Sequence, residues 1–331
     1  MMKAARYLAV PLVALLVAAG GYTLYWFLTA RSLQAGLDKW AAARRAQGYE
    51  LGWRQENVGG FPFSFRIALT DAAIARGNSY HVAVPEVVGT ASPLDLSRWR
   101  IAAPQGGKGT AQGIDAEIAA QSLAGEVNLG ADSSTLDVSV RQVTGAGAAA
   151  GEIAGHFTLP RKAPASHRDL GVAASVRVFH LTLPKPVKAL GDTIETFGAD
   201  VSVMGGLPPG DWRQALAAWR DDGGTVELKQ GRLQWGALRL EANGTVALDG
   251  DMQPTAALHA SIVDQNALVD AAVGAGMLPK KNSLLVKLVL DLLAKDGPDG
   301  RPRLTAPVTL QDGKLAIGRA EIGKVPRIEW K

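Results

Sequence analysis

The segment GGFPFSFRIAL, residues 59–69, alternates large apolar residues with small or polar ones. Side chains of a β-strand point to opposite faces in turn, so this period of two predicts a strand with one apolar face. Proline cannot donate a ladder hydrogen bond, so Pro62 predicts a position near the strand's start or on a sheet edge. The residues that the pattern assigns to the apolar face are Phe61, Phe63, Phe65, Ile67 and Leu69.

Short strand-like segments recur through the middle of the chain, separated by Gly, Asp, Ser and Pro. Repeated strands with turn residues between them are typical of antiparallel β structure. These segments are rich in Ala, Gly, Ser and Val, which favours a thin, curved sheet with one face relatively open. The predicted strands are Ile114–Ile118, Leu123–Leu129, Leu136–Val143, Ile153–Leu159, Val172–Leu183 and Ala199–Met204.

More strands are predicted after residue 224, and helices are predicted at Asp211–Arg220, Gln265–Ala275 and Lys280–Ala294. The predicted fold class is α+β and mainly β, with an N-terminal transmembrane helix, a curved antiparallel sheet or groove, and covering helices. The last helix is apolar nearly all round. Such a helix either covers a sheet, or plugs an apolar groove or touches a bilayer.

The segment from Tyr7 to Ala30 carries no charge over 24 residues. About 20 apolar residues suffice for a helix to cross a bilayer, so the segment predicts a membrane anchor. Lys3 and Arg6 precede it and favour a cytoplasmic N-terminus. A cleaved signal peptide would have a shorter apolar core and a small-x-small site, which LTARS lacks. The predicted aromatic belt at the membrane interface is Tyr22, Tyr25, Trp26 and Phe27.

The predicted organisation follows from these segments. Residues 1–30 form the anchor, 31–48 an amphipathic stem helix, and 49–331 a β-rich domain with a candidate division into 49–205 and 206–331. The predicted location is the inner membrane, crossed once, with the C-terminal domain in the periplasm. The membrane partner is contacted through residues 7–30.

Composition excludes several classes of protein. The net charge is +4 and no basic block of five or more residues occurs, so nucleic acid is not an expected partner. The chain has no cysteine, which excludes disulfides, thiolate metal sites and a cysteine nucleophile.

No motif in the sequence indicates catalysis. The five histidines are scattered without metal-ligand spacing, and no Gly-x-Ser-x-Gly elbow occurs. GGKGTAQG fails the P-loop spacing, and the glycines of VTGAGAAAGEIAGHF lead into another strand instead of a helix. We therefore expect no enzyme activity, no catalytic or metal-binding residues and no cofactor.

The anchor, the Trp-bearing stem helix and three further segments resemble domain of unknown function 2125, a family of alphaproteobacterial envelope proteins. Those segments are VGGFPFSFRI, SPLDLSRWRIAAP and APVTLQDGKLAIGRAEIGKVPRI. The Gly-rich stretch Gly224–Asp249 also resembles the β units of AsmA-like proteins. This second resemblance implies an apolar β groove and a link to glycerophospholipid traffic and outer-membrane assembly, and it supplies no catalytic residues.

Two functions remain open. The first is an anchored module that binds or shields a phospholipid or fatty acyl chain in an apolar β groove during envelope biogenesis. The second is a scaffold or assembly factor that binds envelope proteins through sheet edges and helices. For the groove, an ordinary sheet core under a helix is the alternative interpretation of every lining residue. The candidate lining residues are Phe61, Phe63, Phe65, Ile67, Trp235 and Leu240.

Overall fold

A computed structural model describes residues 2–112, 114–187, 190–208, 211–274, 276, 278–296 and 302–330. It consists mainly of antiparallel β-strands with a few α-helices, which confirms the predicted fold class at that level. The chain divides into two compact units, an N-terminal unit of residues 1–127 and a C-terminal unit of residues 128–331. This division lies well before the candidate boundary at residue 205.

The N-terminal unit combines one long helix with short and medium strands. Strand β3 pairs with β1, β2 and β4, while β4 also pairs with β5 and β6, and β6 with β7. Its elements are α1 (Met2–Ala46), β1 (Glu50–Gly52), β2 (Gln55–Gly59), β3 (Phe65–Arg76), β4 (Tyr80–Ser92), β5 (Asp95–Ala103), β6 (Gly107–Ala111) and β7 (Ile114–Leu129).

Helix α1 runs without interruption through the predicted anchor and the predicted stem helix. It ends in a Schellman motif, in which the amide of Gly48 donates to Arg45 O and that of Tyr49 to Arg44 O. Gly48 has a φ of 84°, so the predicted stop at this glycine is confirmed. Within the residues whose side chains the structure describes, no helix combines the length and apolarity that a membrane crossing requires.

The opening segment is only partly a strand, and the prediction for its first half was wrong. Residues 61–63 form a turn closed by the amides of Phe63 and Ser64, which both donate to Gly60 O. Gly60 has a φ of 101°, and a Cβ there would lie 2.5 Å from Ser64 O. The turn therefore requires glycine at this position. The alternation that was predicted from Phe61 onward begins in space only at Phe65.

The C-terminal unit is dominated by long consecutive strands. Its elements are β8 (Ser133–Gly145), β9 (Ala148–Pro160), β10 (Leu170–Val187), β11 (Gly191–Met204), α2 (Trp212–Asp221), β12 (Thr225–Trp235), β13 (Leu238–Leu248), β14 (Pro254–Val263), α3 (Gln265–Gly274), a 3₁₀ turn (Lys280–Asn282), α4 (Ser283–Leu293), β15 (Lys295–Asp296), β16 (Pro302–Gln311), β17 (Lys314–Ile317) and β18 (Ala320–Lys324).

These strands form a meander. Each strand from β8 to β14 pairs antiparallel with the next, β16 follows beside β14, and β17 and β18 complete the order. Helix α2 begins where predicted, because the Asp211 carboxylate accepts from the amides of Arg213 and Gln214. Trp219 anchors its last turn by donating from Nε1 to Met204 O at 2.7 Å.

Helices α3 and α4 pack over one end of this sheet. Val269 of α3 and Leu290 of α4 are buried in one apolar cluster with Leu238, Ile262 and Leu304 of the strands. The prediction that the last helix covers a sheet is thus confirmed for its inner side. Its outer side remains exposed and consists of Leu284, Leu285, Leu288, Val289, Leu292 and Leu293.

Candidate functional site: an apolar sheet face in the C-terminal unit

The register of the meander determines which side chains share a face of the sheet. Directly paired residues of antiparallel strands point to the same side. Phe197 of β11 pairs with Val178 of β10 and Leu233 of β12. Val178 in turn pairs with Ile153 of β9, and Leu233 with Leu240 of β13. An apolar row therefore runs unbroken across these strands.

Parallel rows extend this apolar face along the strands. Val138 pairs with Gly155, which pairs with Val176, which pairs with Ala199. The next two rows, farther from Phe197 along β11, are also apolar. Their members are Leu136, Phe157, Ala174, Val201 and Leu228, followed by Val172, Val203 and Val226. We call the residues of these rows on β8–β12 the apolar face.

Within the described part of the C-terminal unit, α3 and α4 cover this side of the sheet at one end. Under α3 and α4, Leu238, Ile262 and Leu304 are almost fully buried. The apolar-face side chains of β8–β11 are half-buried at most, and Phe197 and Leu136 remain 42% and 37% exposed. The apolar face is thus a surface that water reaches, continuous with a closed core.

The opposite face of the same strands is polar. Arg177 donates from Nη2 to both carboxylate oxygens of Asp200 at 2.9 and 2.8 Å. This bond first, and a second one with Ser175, hold the pKa of the Asp200 carboxyl below its ordinary value. His156 and Asp137 lie 2.6 Å apart on neighbouring strands. The Arg177–Asp200 pair and the His156–Asp137 contact thus lie on one face of these strands, and the apolar rows lie on the other.

A family model matches residues 26–326, and its family is described as "Uncharacterized protein conserved in bacteria (DUF2125)". The chain belongs to this family. The match includes most of both units and confirms the resemblance, with the stem helix, VGGFPFSFRI and most of the closing segment inside it and residues 1–25 of the predicted anchor outside it. No curated protein and no solved structure matches the chain. The AsmA-like resemblance is not shown by these comparisons.

Two of the predicted lining residues of this DUF2125 protein lie on the same side of the sheet as the apolar face. Trp235 and Leu240 both pack against the cluster beneath α3 and α4. They lie at the end of the sheet that α3 and α4 cover. The alternative interpretation, an ordinary sheet core under a helix, therefore describes them best. The buried indole nitrogen of Trp235 has no hydrogen-bond partner among the described residues.

None of the residues predicted to line a groove belongs to the exposed part of the apolar face. Its strongest members, Val178, Ile153 and Phe197, were inside or beside predicted strands, and their period of two was visible. What the sequence did not show is the register, because small residues such as Gly155 and Ala174 weaken the hydrophobic signal. The prediction of a thin sheet with one relatively open face assigned no residues of β8–β11 to that face.

The other four predicted lining residues belong to the N-terminal unit. Phe65 is fully buried, and Ile67 is half-buried beside its partner Val58. Phe61 is partly exposed and packs on the helix, while Phe63 is 89% exposed. These residues form no common lined surface, since the turn at 61–63 breaks the strand.

The predicted belt residues of α1 contact the N-terminal unit closely. Trp26 is only 3% exposed and stacks on Phe65 with ring centroids 5.1 Å apart. Tyr22 donates its hydroxyl to Pro62 O, and Tyr25 donates to Pro93 O at 2.8 Å. Phe27 is half exposed and stacks on Phe61. The helix is thus attached to the sheet from Tyr22 onward.

The described residues contain no group of three or more His, Asp or Glu side chains placed to hold a metal ion. Asp249, Asp251 and Asp312 line one cavity of about 270 Å³, together with Arg327. Arg327 pairs with Asp251 at 2.9 Å, and Asp249 accepts from the amides of Asp251 and Gln253. These contacts account for two of the three carboxylates as loop-stabilising groups.

Proposed function

We propose that this DUF2125 protein is a non-enzymatic, membrane-anchored protein that holds a lipid acyl chain against its apolar face. The observation that supports the proposal best is the unbroken apolar register across β8–β12, left uncovered beyond the two helices. Monomeric proteins rarely expose a continuous apolar surface of this extent, and such surfaces bind lipids, ligands or other proteins.

The energetic need for such a surface is large. Exposing a lipid tail to water costs about 0.8 kcal/mol per CH₂ group, so a chain of roughly 16 carbons costs on the order of 10 kcal/mol. The half-buried Val176, Val178 and Phe197 lose their own exposure when a chain covers them. Burial therefore lowers the free energy of both the acyl chain and the apolar face, and neither needs a polar contact along the acyl chain.

The surface also lacks the groups that chemistry would need. The described positions of the apolar face are aliphatic, aromatic or glycine, so no acid, base or nucleophile lies on it. Asp137, His156 and Asp200 of these strands point to the other side. A function in binding or shielding a chain fits this arrangement, and catalysis on a bound chain does not.

Membrane attachment is the second part of the proposal. The uncharged segment Tyr7–Ala30, preceded by Lys3 and Arg6, supports an inner-membrane anchor with the two units in the periplasm. From Tyr7 to Gly21, before the first contact with the unit, the sequence offers 15 uncharged residues, slightly fewer than the roughly 17 of the shortest crossings, so Tyr22 would lie within the interfacial layer. The helix contacts its own unit from Tyr22 onward, so the unit would sit directly at the bilayer.

Mass spectrometry of lipids that co-purify with the full-length protein tests the binding function. Phe197→Glu places a charge on the apolar face and is expected to reduce the lipid recovered per protein several-fold. Thr196→Glu is the matched control, because Thr196 pairs with Gln234 on the opposite face. It is expected to retain lipid at the level of the unmodified protein.

Three outcomes of that experiment decide between the functions. Loss of lipid in Phe197→Glu alone supports the proposal, provided that both variants unfold at similar temperatures. Absence of lipid from the unmodified protein overturns it. Equal lipid in both variants, with crosslinked envelope proteins lost from Phe197→Glu, supports the scaffold function instead.

A further inference from the structure

Two turns of the N-terminal unit carry the most exposed large apolar residues of that unit among those described. Phe63 is 89% exposed and Leu94 is 91% exposed. Neither is on a loose loop. The first turn is closed by two backbone bonds to Gly60 O, and Leu94 lies in the tight connection between β4 and β5, where its amide donates to Ser92 Oγ. Each turn thus presents one large apolar side chain to solvent on a hydrogen-bonded backbone.

Both turns are fastened to α1 at the same level. Tyr22 donates to the carbonyl of Pro62, which directly precedes Phe63, and Tyr25 donates to the carbonyl of Pro93, which directly precedes Leu94. Three residues of helix advance about 4.5 Å along its axis, so the two attachment points lie within one turn of each other.

Helix α1 also leaves the N-terminal unit at this position along its axis. Contacts of α1 with the unit run from Tyr22 to Arg45, whose Nε donates to Leu51 O at 2.8 Å. Before Tyr22, the side chains of Leu15, Leu16 and Val17 are exposed. The sequence from Tyr7 to Tyr22 carries no charge. Phe63 and Leu94, which we call the apolar tips, therefore flank the point at which an uncharged helix segment leaves the N-terminal unit.

A cavity of about 490 Å³ lies beside one of the tips. Its lining includes Phe63 and two arginines, Arg98 and Arg100, which share the Glu126 carboxylate through their Nε atoms at 3.2 and 3.4 Å. More than half of each arginine side chain is exposed. A guanidinium has five N–H donors in a planar fork, so both remain accessible to a phosphate oxygen.

We propose that Phe63 and Leu94 enter the interfacial layer of the bilayer that α1 enters, with Arg98 and Arg100 facing its lipid phosphates. The inference rests on the membrane anchoring proposed above. It assigns the N-terminal unit a fixed orientation, with its exposed tips toward the bilayer. Apolar side chains at the acyl boundary beside basic residues at the phosphate level are the usual pattern of interfacial attachment.

The chain has no cysteine, so single-cysteine variants of the full-length protein report on depth without background. Phe63→Cys, Leu94→Cys, Val17→Cys and Asn78→Cys are labelled with bimane and reconstituted into vesicles of phosphatidylethanolamine and phosphatidylglycerol at 3:1. Asn78 is the matched control, since it is exposed in the β3–β4 turn at the other end of β4 from Leu94. Quenching is measured with lipids brominated near the headgroup.

Several-fold stronger quenching at positions 63 and 94 than at 78 supports the inference. Equal, weak quenching at 63, 94 and 78 overturns it. Position 17 separates the two proposals: strong quenching there with none at the tips leaves the anchor intact and refutes only the tip contact. Weak quenching at all four positions refutes the anchor and the tip contact together, without bearing on lipid binding by the apolar face.

The arginines are tested in the same vesicles. Arg98→Gln combined with Arg100→Gln is expected to remove any extra quenching at Leu94→Cys that phosphatidylglycerol gives over pure phosphatidylcholine. Retention of that lipid dependence in the double variant would exclude a phosphate contact at these two residues.

Discussion

Trp26 of α1 stacks on Phe65 of β3, with ring centroids 5.1 Å apart and an interplanar angle of 18°. Both side chains are buried, and Trp26 Nε1 donates to Ser64 O at 3.2 Å. A residue that the sequence placed in a membrane belt is thus a core residue of the N-terminal unit. The pair joins a helix and a strand 39 positions apart in the chain.

Trp26→Ala is expected to destabilise the N-terminal unit by about 3–5 kcal/mol, because it empties a buried aromatic site and removes a stacking partner. Leu28→Ala, two residues away and half exposed, is expected to cost less than about 1 kcal/mol. Denaturant unfolding of the detergent-solubilised protein measures both. Similar losses for the two variants would contradict the assignment of Trp26 to the core.

Phe63 and Phe65 are expected to respond oppositely to the same change. Phe63→Asp places a charge on an exposed turn and is expected to alter stability by about 0.5 kcal/mol at most. Phe65→Asp buries a charge without a partner and is expected to unfold the unit. Limited proteolysis in detergent distinguishes the two. The strand-face prediction from the sequence, in which both positions were equivalent, requires that both variants unfold.

Glu56 gives the N-terminal unit a dependence on pH. Burial first, and the Asp38 charge second, raise the pKa of the Glu56 carboxyl, and a hydrogen bond with Trp53 opposes them. The folded state therefore binds the proton more tightly than the unfolded state. Its contribution to stability is greatest below the unfolded pKa of about 4.5 and is lost as the pH rises through the folded value.

Glu56→Gln is accordingly expected to raise the Tm at neutral pH by a few degrees and to leave it unchanged below pH 4.5. Asp38→Asn should reproduce part of the gain, because it removes only the second cause. Thermal unfolding between pH 4 and 8 measures the difference. A lower Tm for Glu56→Gln at neutral pH would show that the carboxylate is stabilising.

The Arg177–Asp200 pair is expected to stabilise the polar face with the opposite pH dependence. The pKa of the Asp200 carboxyl lies below its ordinary value, so its contribution is present above about pH 3.8 and is lost as the pH falls through the folded value. Asp200→Asn is expected to cost about 1 kcal/mol at neutral pH, since the pair is about a third exposed.

The amount of lipid that co-purifies with Asp200→Asn is a control for the assignment of lipid binding to the apolar face. Asp200 lies on the side of β11 opposite to Phe197, so Asp200→Asn should retain lipid at the level of the unmodified protein. Loss of lipid in this variant without unfolding would contradict the assignment of function to the apolar face.

Local patterns predicted much of the architecture. The helix stop at Gly48, the helix predicted at Asp211–Arg220 and the strands between residues 133 and 204 were visible because each depends on neighbours in the chain. The turn at 61–63 was not, since apolar alternation continues through it in the sequence. Gly60 and Pro62 carried the contrary signal, and their joint effect on the backbone outweighed the alternation.

The sequence predicted the type of candidate site, an open apolar sheet face, but not the residues that form it. An open sheet face was expected from the small residues of the middle strands, while the lining was assigned to Phe61, Phe63 and other large residues. Large residues are the ones that proteins bury, and Phe65 and Leu238 are buried. The exposed apolar face consists mostly of Val, Ala, Leu and Ile with Phe157 and Phe197, and these residues become one surface only when the register aligns Ile153, Val178 and Phe197.

The meander of β8–β14 has one more implication. Every strand there bonds to its immediate predecessor and successor in the chain, so the connectivity is that of a repeating array. Inserting or deleting a hairpin between β8 and β12 would widen or narrow the sheet by about 10 Å without rerouting any other strand. The extent of the apolar face is therefore set by the number of hairpins, independently of the cap that α3 and α4 form at the other end.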